Sequence, residues 1–234
     1  MSGHIVAIGG GSFEETAPLR EYILGLARSE RPRVCFVPTA TGDDPFAIAR
    51  FYRAFSELDC SPADLTLFDR TVVDLPAFIR AQDVIYVGGG NTASLLGVWR
   101  AHGLFDLLRS ALADGAVLCG SSAGMNCWFR ASTTDSFGRD QLAPLHDGLG
   151  LITGSACPHY DAEEQRRPLY RSLIADGFPA GYAADNQAAL HFTEGDLVTA
   201  LSCSPEAKAY YVELVDGEVI ERELPARRLS RSER

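Results

Sequence analysis

The feature that most constrains this fold is an alternation between short apolar runs ending in glycine or proline and longer stretches of helical spacing. This alternation is typical of a parallel β-sheet whose crossover helices cover both faces. The predicted strands, each with its turn, cover residues 4–11, 34–40, 65–69, 83–92 and 116–124, and the predicted helices cover 18–29, 46–58, 76–82, 94–115 with a break at Gly103, and 163–177.

The pattern changes after about residue 130, where polar and turn-rich sequence replaces the alternation. Residues 188–192 and 208–226 alternate with period two, the second run around an Asp-Gly turn, which predicts antiparallel strands that finish the sheet. We therefore expect a single α/β domain over residues 1–226, with three layers, a mostly parallel sheet and antiparallel strands near the C-terminus. Residues 227–234 are predicted to be a charged tail.

The charge balance narrows the classes of partner. The 234 residues contain 21 Lys and Arg against 31 Asp and Glu, a formal charge of −10, which disfavours nucleic acid and anionic membranes. No apolar run is long enough for a membrane span, and no cationic region precedes the short apolar stretch at the N-terminus, so we expect no signal peptide. The six cysteines are widely spaced without a Cys-x-x-Cys pair, which favours a cytoplasmic protein without a metal site or another cofactor.

The sharpest motif is the Gly-x-Ser-x-Gly at Gly120–Gly124, which follows a predicted buried strand and precedes a helical segment. This is the context of a nucleophile elbow, in which small neighbours let the backbone turn tightly and expose the hydroxyl of Ser122. The alternative is a turn of small residues that only packs.

A serine hydroxyl needs a base to become a good nucleophile, and three histidines follow Ser122: His146, His159 and His191. His159 closes the apolar stretch 150–157 and is therefore predicted at a strand end, where it would act as the base. His191 lies within an alternating strand, which favours a structural or surface role, and His146 is predicted in a loop.

The base needs a third group to fix its tautomer, normally a carboxylate but in some enzymes an asparagine. Asp185 and Asn186 follow each other at the predicted end of another strand and would point to opposite faces, so only one of them can meet the imidazole. From the spacing alone, the acid is the default and the asparagine stays open.

The turn at residues 88–92, Gly-Gly-Gly-Asn-Thr, has the exposed amides of an anion cradle. A dinucleotide loop would need glycine where Ala93 stands, and no Walker lysine follows. The turn is therefore interpreted as an oxyanion hole, with amides at Gly89 or Gly90 acting together with that of Ala123. The glycine turn at residues 9–11 is either a plain tight turn or a wall of the site.

These motifs together resemble the peptidase E (α-aspartyl dipeptidase) family, which is related to cyanophycinase. The matching features span residues 5–200 and are residues 88–92 with Leu95-Leu96, the elbow 120–124 with Asn126, Thr133-Thr134-Asp135, Pro158-His159-Tyr160 and residues 185–190. The resemblance implies a flavodoxin-like fold of the class I glutamine amidotransferase type. It also implies a metal-independent serine peptidase that releases N-terminal aspartate from short peptides through an acyl-enzyme.

The resemblance assigns Ser122 as the nucleophile and His159 as the base, but the family usually has Glu or Asp where this chain places Asn186. The implied triad is therefore Ser-His-Asn, with Asp185 as the alternative, and turnover is expected to be reduced. A substrate aspartate calls for a cation, for which Arg166 and Arg167 are the candidates.

The substrate's amino group needs an acceptor, for which Asp135 and the side chain of Asn91 are the candidates. The expected partner is a small acidic peptide. A homodimer is also expected, through an edge formed by the period-two strands. The alternatives are a cyanophycinase-like hydrolase of aspartyl peptides, a catalytically weak binder of acidic peptides, and an esterase with the triad order Ser, acid, His, which would need His191.

Overall fold

A computed structural model describes residues 3–138 and 141–230 of the chain. Its strands are β1 (His4–Ile8), β2 (Arg33–Val37), β3 (Ser61–Asp64), β4 (Val84–Val87), β5 (Val117–Ser121), β6 (Phe129–Thr134), β7 (Ala143–Leu145), β8 (Ile152–Cys157), β9 (Gly181–Ala184), β10 (Ala188–Thr193), β11 (Asp196–Ser202), β12 (Ala209–Val215), β13 (Glu218–Leu224) and β14 (Ala226–Arg228). Its α-helices are α1 (Ala17–Leu26), α2 (Pro45–Phe55), α3 (Leu75–Arg80), α4 (Thr92–Ala101), α5 (Leu104–Ala113), α6 (Ala123–Asn126) and α7 (Arg166–Ala175). Within these two ranges no helix combines the length and the apolar character that crossing a membrane would require.

The first sheet has eight strands in the order β14-β11-β10-β1-β5-β4-β2-β3. The five strands from β1 to β3 in that order run parallel, while β10 pairs antiparallel with β1 and β11 pairs antiparallel with β10. Alternate residues of the central strands enter two different hydrophobic clusters, Ile5 with α3, α4 and α5 and Val6 with α1 and α2. Helices therefore cover both faces, as the alternation predicted, and the expected α/β fold class is confirmed.

A second sheet of six strands, β13-β12-β9-β8-β6-β7, was not expected. The segment after residue 130, interpreted as irregular, contains β6 and β7, and its run of small and hydroxyl residues hides the strand because few are strongly apolar. The β12–β13 hairpin across Asp216 and Gly217 was predicted correctly, but it joins this sheet and does not finish the first one.

Two boundaries also differ from the prediction. The strand expected at 65–69 lies earlier, at Ser61–Asp64, and pairs with β2. Arg227 and Arg228 of the expected tail form β14 together with Ala226, and this strand pairs with β11. Residues 231–234 of that tail lie outside the described part. The predicted break at Gly103 is confirmed, since its φ of +65° separates α4 from α5.

Replacement of Leu118, which is fully buried in β5, tests the central packing of the first sheet. Leu118→Ala is expected to lower the free energy of unfolding by about 2–5 kcal/mol, because it removes buried methyl groups and leaves a cavity. The control is Val73→Ala, at a valine that is 93% exposed, and it should cost less than about 1 kcal/mol. Equal losses in urea denaturation of the two variants would contradict this packing.

Candidate active site

Ser122 stands in the turn between β5 and α6, with φ of +58° and ψ of −110°. A non-glycine residue in this region is strained, and such strain is found at functional sites. The flanking glycines are required because a Cβ at Gly120 would lie 2.7 Å from the carbonyl oxygen of Val87, and one at Gly124 would be closer still. The elbow predicted from the motif is therefore present, packed against the end of β4.

His159 lies just past the end of β8 and bridges two side chains. Its Nε2 lies 2.8 Å from the Oγ of Ser122, and its Nδ1 lies 2.7 Å from the Oδ1 of Asn186. An amide oxygen can only accept, so Nδ1 carries the proton and Nε2 is free to accept the serine proton. The arrangement is that of a serine nucleophile, a histidine base and a neutral orienting group.

Asp185, the alternative third group, points away from the histidine. Its Oδ2 accepts a hydrogen bond from the backbone N–H of Lys208 at 2.9 Å, and its side chain is 4% exposed. Burial raises the pKa of this carboxyl to about 6, against the lowering effect of the Lys208 N–H. The structure thus brings Asn186, and not its acidic neighbour, to His159.

Three consecutive carbonyls at the end of β1 hold the three segments together. The carbonyl of Ile8 accepts from the N–H of Ser122 at 3.1 Å, that of Gly9 from the N–H of His159 at 3.1 Å, and that of Gly10 from the N–H of Gln187, next to Asn186, at 3.0 Å. The glycine turn that the sequence left open between a tight turn and a wall is therefore the backbone support of the site.

Gly10 also lets Asn186 and His159 approach each other closely. A Cβ at this position would overlap the Oδ1 of Asn186 and lie 2.5 Å from the Nδ1 of His159. On its other side, the N–H of Asn186 donates to the carboxylate of Asp161 at 2.8 Å. Sequence reasoning missed Asp161, which belongs to no motif, and it left the role of the turn that contains Gly10 open. Only the fold brings these two residues to the asparagine.

The amides interpreted as an oxyanion hole are that of Ala123, directly after the serine, and those of Gly89 and Gly90 in the turn after β4. Among the described residues, the N–H groups of Gly89, Gly90 and Ala123 donate to no other group. A Cβ on Gly89 would lie 3.3 Å from that of Ser122, and Gly90, at φ of +134°, packs against the carbonyl of Ala40. The role of these amides as an oxyanion hole is a prediction that this geometry permits.

A polar cavity of about 240 Å³ opens at Ser122 and His159 and contains charged side chains of both signs. Arg166 is 3% exposed, and its Nε donates to the carboxylate of Glu163 at 2.6 Å. Asp135, half exposed, lies 3.9 Å from the same guanidinium. The cavity therefore presents a buried cation beside two carboxylates.

Two other candidates are differently engaged. Arg167 pairs with Glu221 and stacks over Tyr160 and Tyr210, and it is not in the wall of the polar cavity. Asn91 lines that cavity, but its Oδ1 caps helix α4 and its Nδ2 donates to the carbonyl of Ser136 at 2.9 Å. The position of Arg167 outside the cavity gives no support to substrate binding, whereas Asn91 lies in the cavity wall with both polar atoms of its side chain already bonded.

His191 is separate from this site. Both of its ring nitrogens are hydrogen-bonded: its Nε2 lies 3.0 Å from the Nδ1 of His4, and its Nδ1 lies 2.8 Å from the hydroxyl of Tyr22. Burial lowers the pKa of His191 to about 4, with a smaller effect from His4. These contacts fit the structural role predicted from the strand pattern. The esterase alternative needs His191 as its base, and His191 does not lie at Ser122.

Comparisons with known proteins point to one family. A family model described as peptidase family S51 matches residues 5–200. The chain is 47% identical over 229 residues to the uncharacterised peptidase YgaJ of Bacillus subtilis strain 168, covering 96% of this chain and 98% of that protein. It is 31% identical over 121 residues to peptidase E of Pasteurella multocida strain Pm70, covering 48% of this chain and 52% of that protein.

The fold is also similar to a solved structure. A crystal structure of a peptidase from an acI-B1 Actinobacterium superposes with a TM-score of 0.69 at 18% identity, over 97% of this chain and 95% of that one. At this identity the likeness supports the fold alone.

Substitution of Gly10 tests whether the His159–Asn186 contact depends on the missing side chain. Gly10→Ala is expected to lower kcat by about 100-fold, because a displacement of about 1 Å of a catalytic group has an effect of that size. Gly25→Ala in α1 is the control, since a Cβ there has nothing within 4 Å, and it should leave kcat unchanged. Wild-type kcat in a folded Gly10→Ala variant would contradict the geometry.

The raised pKa of Asp185 gives a prediction for stability against pH. The folded state binds this proton more tightly than the unfolded state, so the stabilising contribution is complete below about pH 4 and is lost as the pH rises through 6. Relative to wild type, Asp185→Asn should gain about 1–3 kcal/mol in unfolding free energy between pH 4 and pH 7.5. Denaturation curves at the two pH values measure this change, and a constant difference between the proteins would refute it.

Proposed function

Since the chain belongs to peptidase family S51 and is a serine-type peptidase, we propose that it is a dipeptidase that cleaves after an N-terminal aspartate with a Ser122–His159–Asn186 triad. The observation that carries this proposal is the buried guanidinium of Arg166 in the same cavity as Ser122 and His159. A buried arginine is suited to a substrate carboxylate, because its planar fork can form two parallel hydrogen bonds.

The two carboxylates of the polar cavity suit the amino group of the substrate's aspartate. An N-terminal aspartate carries an ammonium group as well as its side-chain carboxylate, and Asp135 and Glu163 offer acceptors for that ammonium. Arg166 keeps donors for the substrate, since its bonds to Glu163 and to the carbonyl of Thr133 use only part of its five N–H groups. One cation and two anions therefore complement one carboxylate and one ammonium.

The proposed reaction passes through an acyl-enzyme. The Oγ of Ser122 bonds to the carbonyl carbon of the aspartyl residue while its proton moves to the Nε2 of His159, and the amides of Gly89, Gly90 and Ala123 face the oxyanion. The C–N bond then breaks and His159 gives its proton to the departing amine. Water attacks the ester with His159 as base, the proton returns to the serine oxygen, and free aspartate leaves.

Asn186 is proposed to hold the tautomer of His159 without supplying negative charge. An amide stabilises the imidazolium of the transition state less than a carboxylate does, so we expect slower turnover than with an acid at this position. The proposed compartment is the cytoplasm, which is supported by six free cysteines, five of them buried.

A homodimer is a further proposal. The β12–β13 hairpin forms one edge of the second sheet, and its Leu214, Val215 and Ile220 are each more than two-fifths exposed. Apolar side chains on a sheet edge favour pairing with a second chain.

Hydrolysis of Asp-Leu, Asn-Leu and Glu-Leu by wild type and by four variants tests the proposal. Wild type should cleave Asp-Leu preferentially, Ser122→Ala should be inactive, and Asn186→Ala should lose more kcat than Asp185→Ala. Arg166→Lys keeps the charge but loses the fork, so the preference for Asp-Leu over Asn-Leu should fall by at least about tenfold.

Arg167→Lys is the matched control, since its partner Glu221 lies outside the polar cavity, and it should keep the preference. An unchanged preference in Arg166→Lys would overturn the aspartate assignment. Binding of Asp-Leu without turnover would favour the weak binder. Cleavage of aspartyl polymers but not of dipeptides would favour the cyanophycinase-like alternative.

A further inference from the structure

A second cavity of about 360 Å³ meets the catalytic residues and differs in chemistry from the polar cavity. It shares Ser122 and His159 with that cavity, but its wall includes the aromatic side chains of Phe13, Phe36 and Tyr86. The three rings pack against one another, with centroids 5.5–6.4 Å apart. A volume of this size is within the range of small-molecule sites, about 300–1,000 Å³, which are mostly apolar with a few polar groups.

One cation belongs to this cavity. Arg50 lies one helical turn after Ala47 on α2, and both residues line the wall. Within the described ranges, the guanidinium of Arg50 has no hydrogen-bond or ion-pair partner, in contrast to Arg166 and Arg167. An exposed arginine is ordinary on a surface, but this one borders an apolar cavity that ends at the nucleophile.

We infer that this cavity binds the departing amino acid, with an apolar side chain against the aromatic wall and its free C-terminal carboxylate on Arg50. The inference rests on the proposed function. Since the polar cavity matches the charges of the aspartyl residue, the peptide bond at Ser122 directs the other residue into the second cavity. In a dipeptide, a single Cα separates the C-terminal carboxylate from the nitrogen of the scissile peptide bond. A cation in the wall of this cavity can therefore bind that carboxylate.

The substrate class that follows is a dipeptide with aspartate first and an apolar residue second. A longer peptide or an amide lacks the carboxylate next to the scissile amine and would lose the contact with Arg50. Glu14 also lines the cavity and opposes a carboxylate, so its charge should weaken the binding that Arg50 provides. Arginine thus selects for chain length, and the rings select for the side chain.

The test compares kcat/KM for Asp-Leu and Asp-Leu-amide, which differ only in the terminal charge. Wild type should prefer the free acid by at least about tenfold, the size expected for a charged hydrogen bond. The preference should vanish in Arg50→Gln and increase in Glu14→Gln. Arg53→Gln is the matched control, because Arg53 is exposed on the same helix and does not line the cavity, and its preference should equal that of wild type.

A second comparison tests the aromatic wall. Asp-Leu and Asp-Phe should be cleaved with higher kcat/KM than Asp-Gly and Asp-Asp, and Ala47→Leu, which narrows the cavity, should reduce this advantage. Thermal unfolding of the variant checks that it folds. Equal kcat/KM for all four dipeptides in wild type would overturn the apolar assignment.

Asp-p-nitroanilide separates failure of this inference from failure of the proposed function, because its leaving group has no carboxylate. The inference is overturned, and the aspartyl peptidase retained, if wild type hydrolyses the anilide but does not prefer Asp-Leu to Asp-Leu-amide. The same conclusion follows if wild type hydrolyses the anilide and Arg50→Gln keeps the preference for Asp-Leu. Absence of turnover of the anilide and of every aspartyl dipeptide overturns both.

Discussion

The three carbonyls at the end of β1 are the constraint on which the site depends. Ile8, Gly9 and Gly10 each accept one backbone N–H, from the serine, histidine and asparagine segments in turn. Those segments come from β5 of the first sheet and from β8 and β9 of the second, so the rim of β1 is where the two sheets supply one site. The strained, positive φ of Ser122 (+58°), His159 (+54°) and Gln187 (+65°) is stabilised by these bonds.

This support explains why a neutral residue can serve as the third group. Asn186 is held from both sides, by the bond from its own N–H to Asp161 and by the close approach of Gly10, so its amide oxygen stays directed at His159. The neighbouring carboxylate of Asp185 is used on the opposite face, where it bonds to the Lys208 N–H. In the proposed triad, the imidazole is therefore oriented without a negative charge beside it, and the transition state is stabilised less than it would be by a carboxylate.

Much of the first sheet and of the candidate site could be predicted from local sequence. The β-α alternation, the elbow at Ser122 and the strand-end position of His159 are local patterns with a physical cause. Asp185 and Asn186 have different partners, as predicted, although Asn186 lies in the turn after β9 and not in a strand. The second sheet could not be predicted, because β6 is rich in Ser and Thr and its neighbour β7 has only three residues. The same holds for the contacts of Gly10 and Asp161 with Asn186 and for the ion pair of Arg167 with Glu221, because each joins residues that are far apart in the sequence.

In the proposed triad, Ser122 is activated through His159 by Asn186. The most direct measurement is the rate of covalent labelling of Ser122 by a fluorophosphonate, followed by peptide mass spectrometry in wild type, Asn186→Ala, Asn186→Asp and Asp185→Asn. We expect labelling at least about tenfold slower in Asn186→Ala, labelling at least as fast as wild type in Asn186→Asp, and no change in Asp185→Asn. Wild-type labelling in Asn186→Ala, or its loss in Asp185→Asn, would contradict this triad.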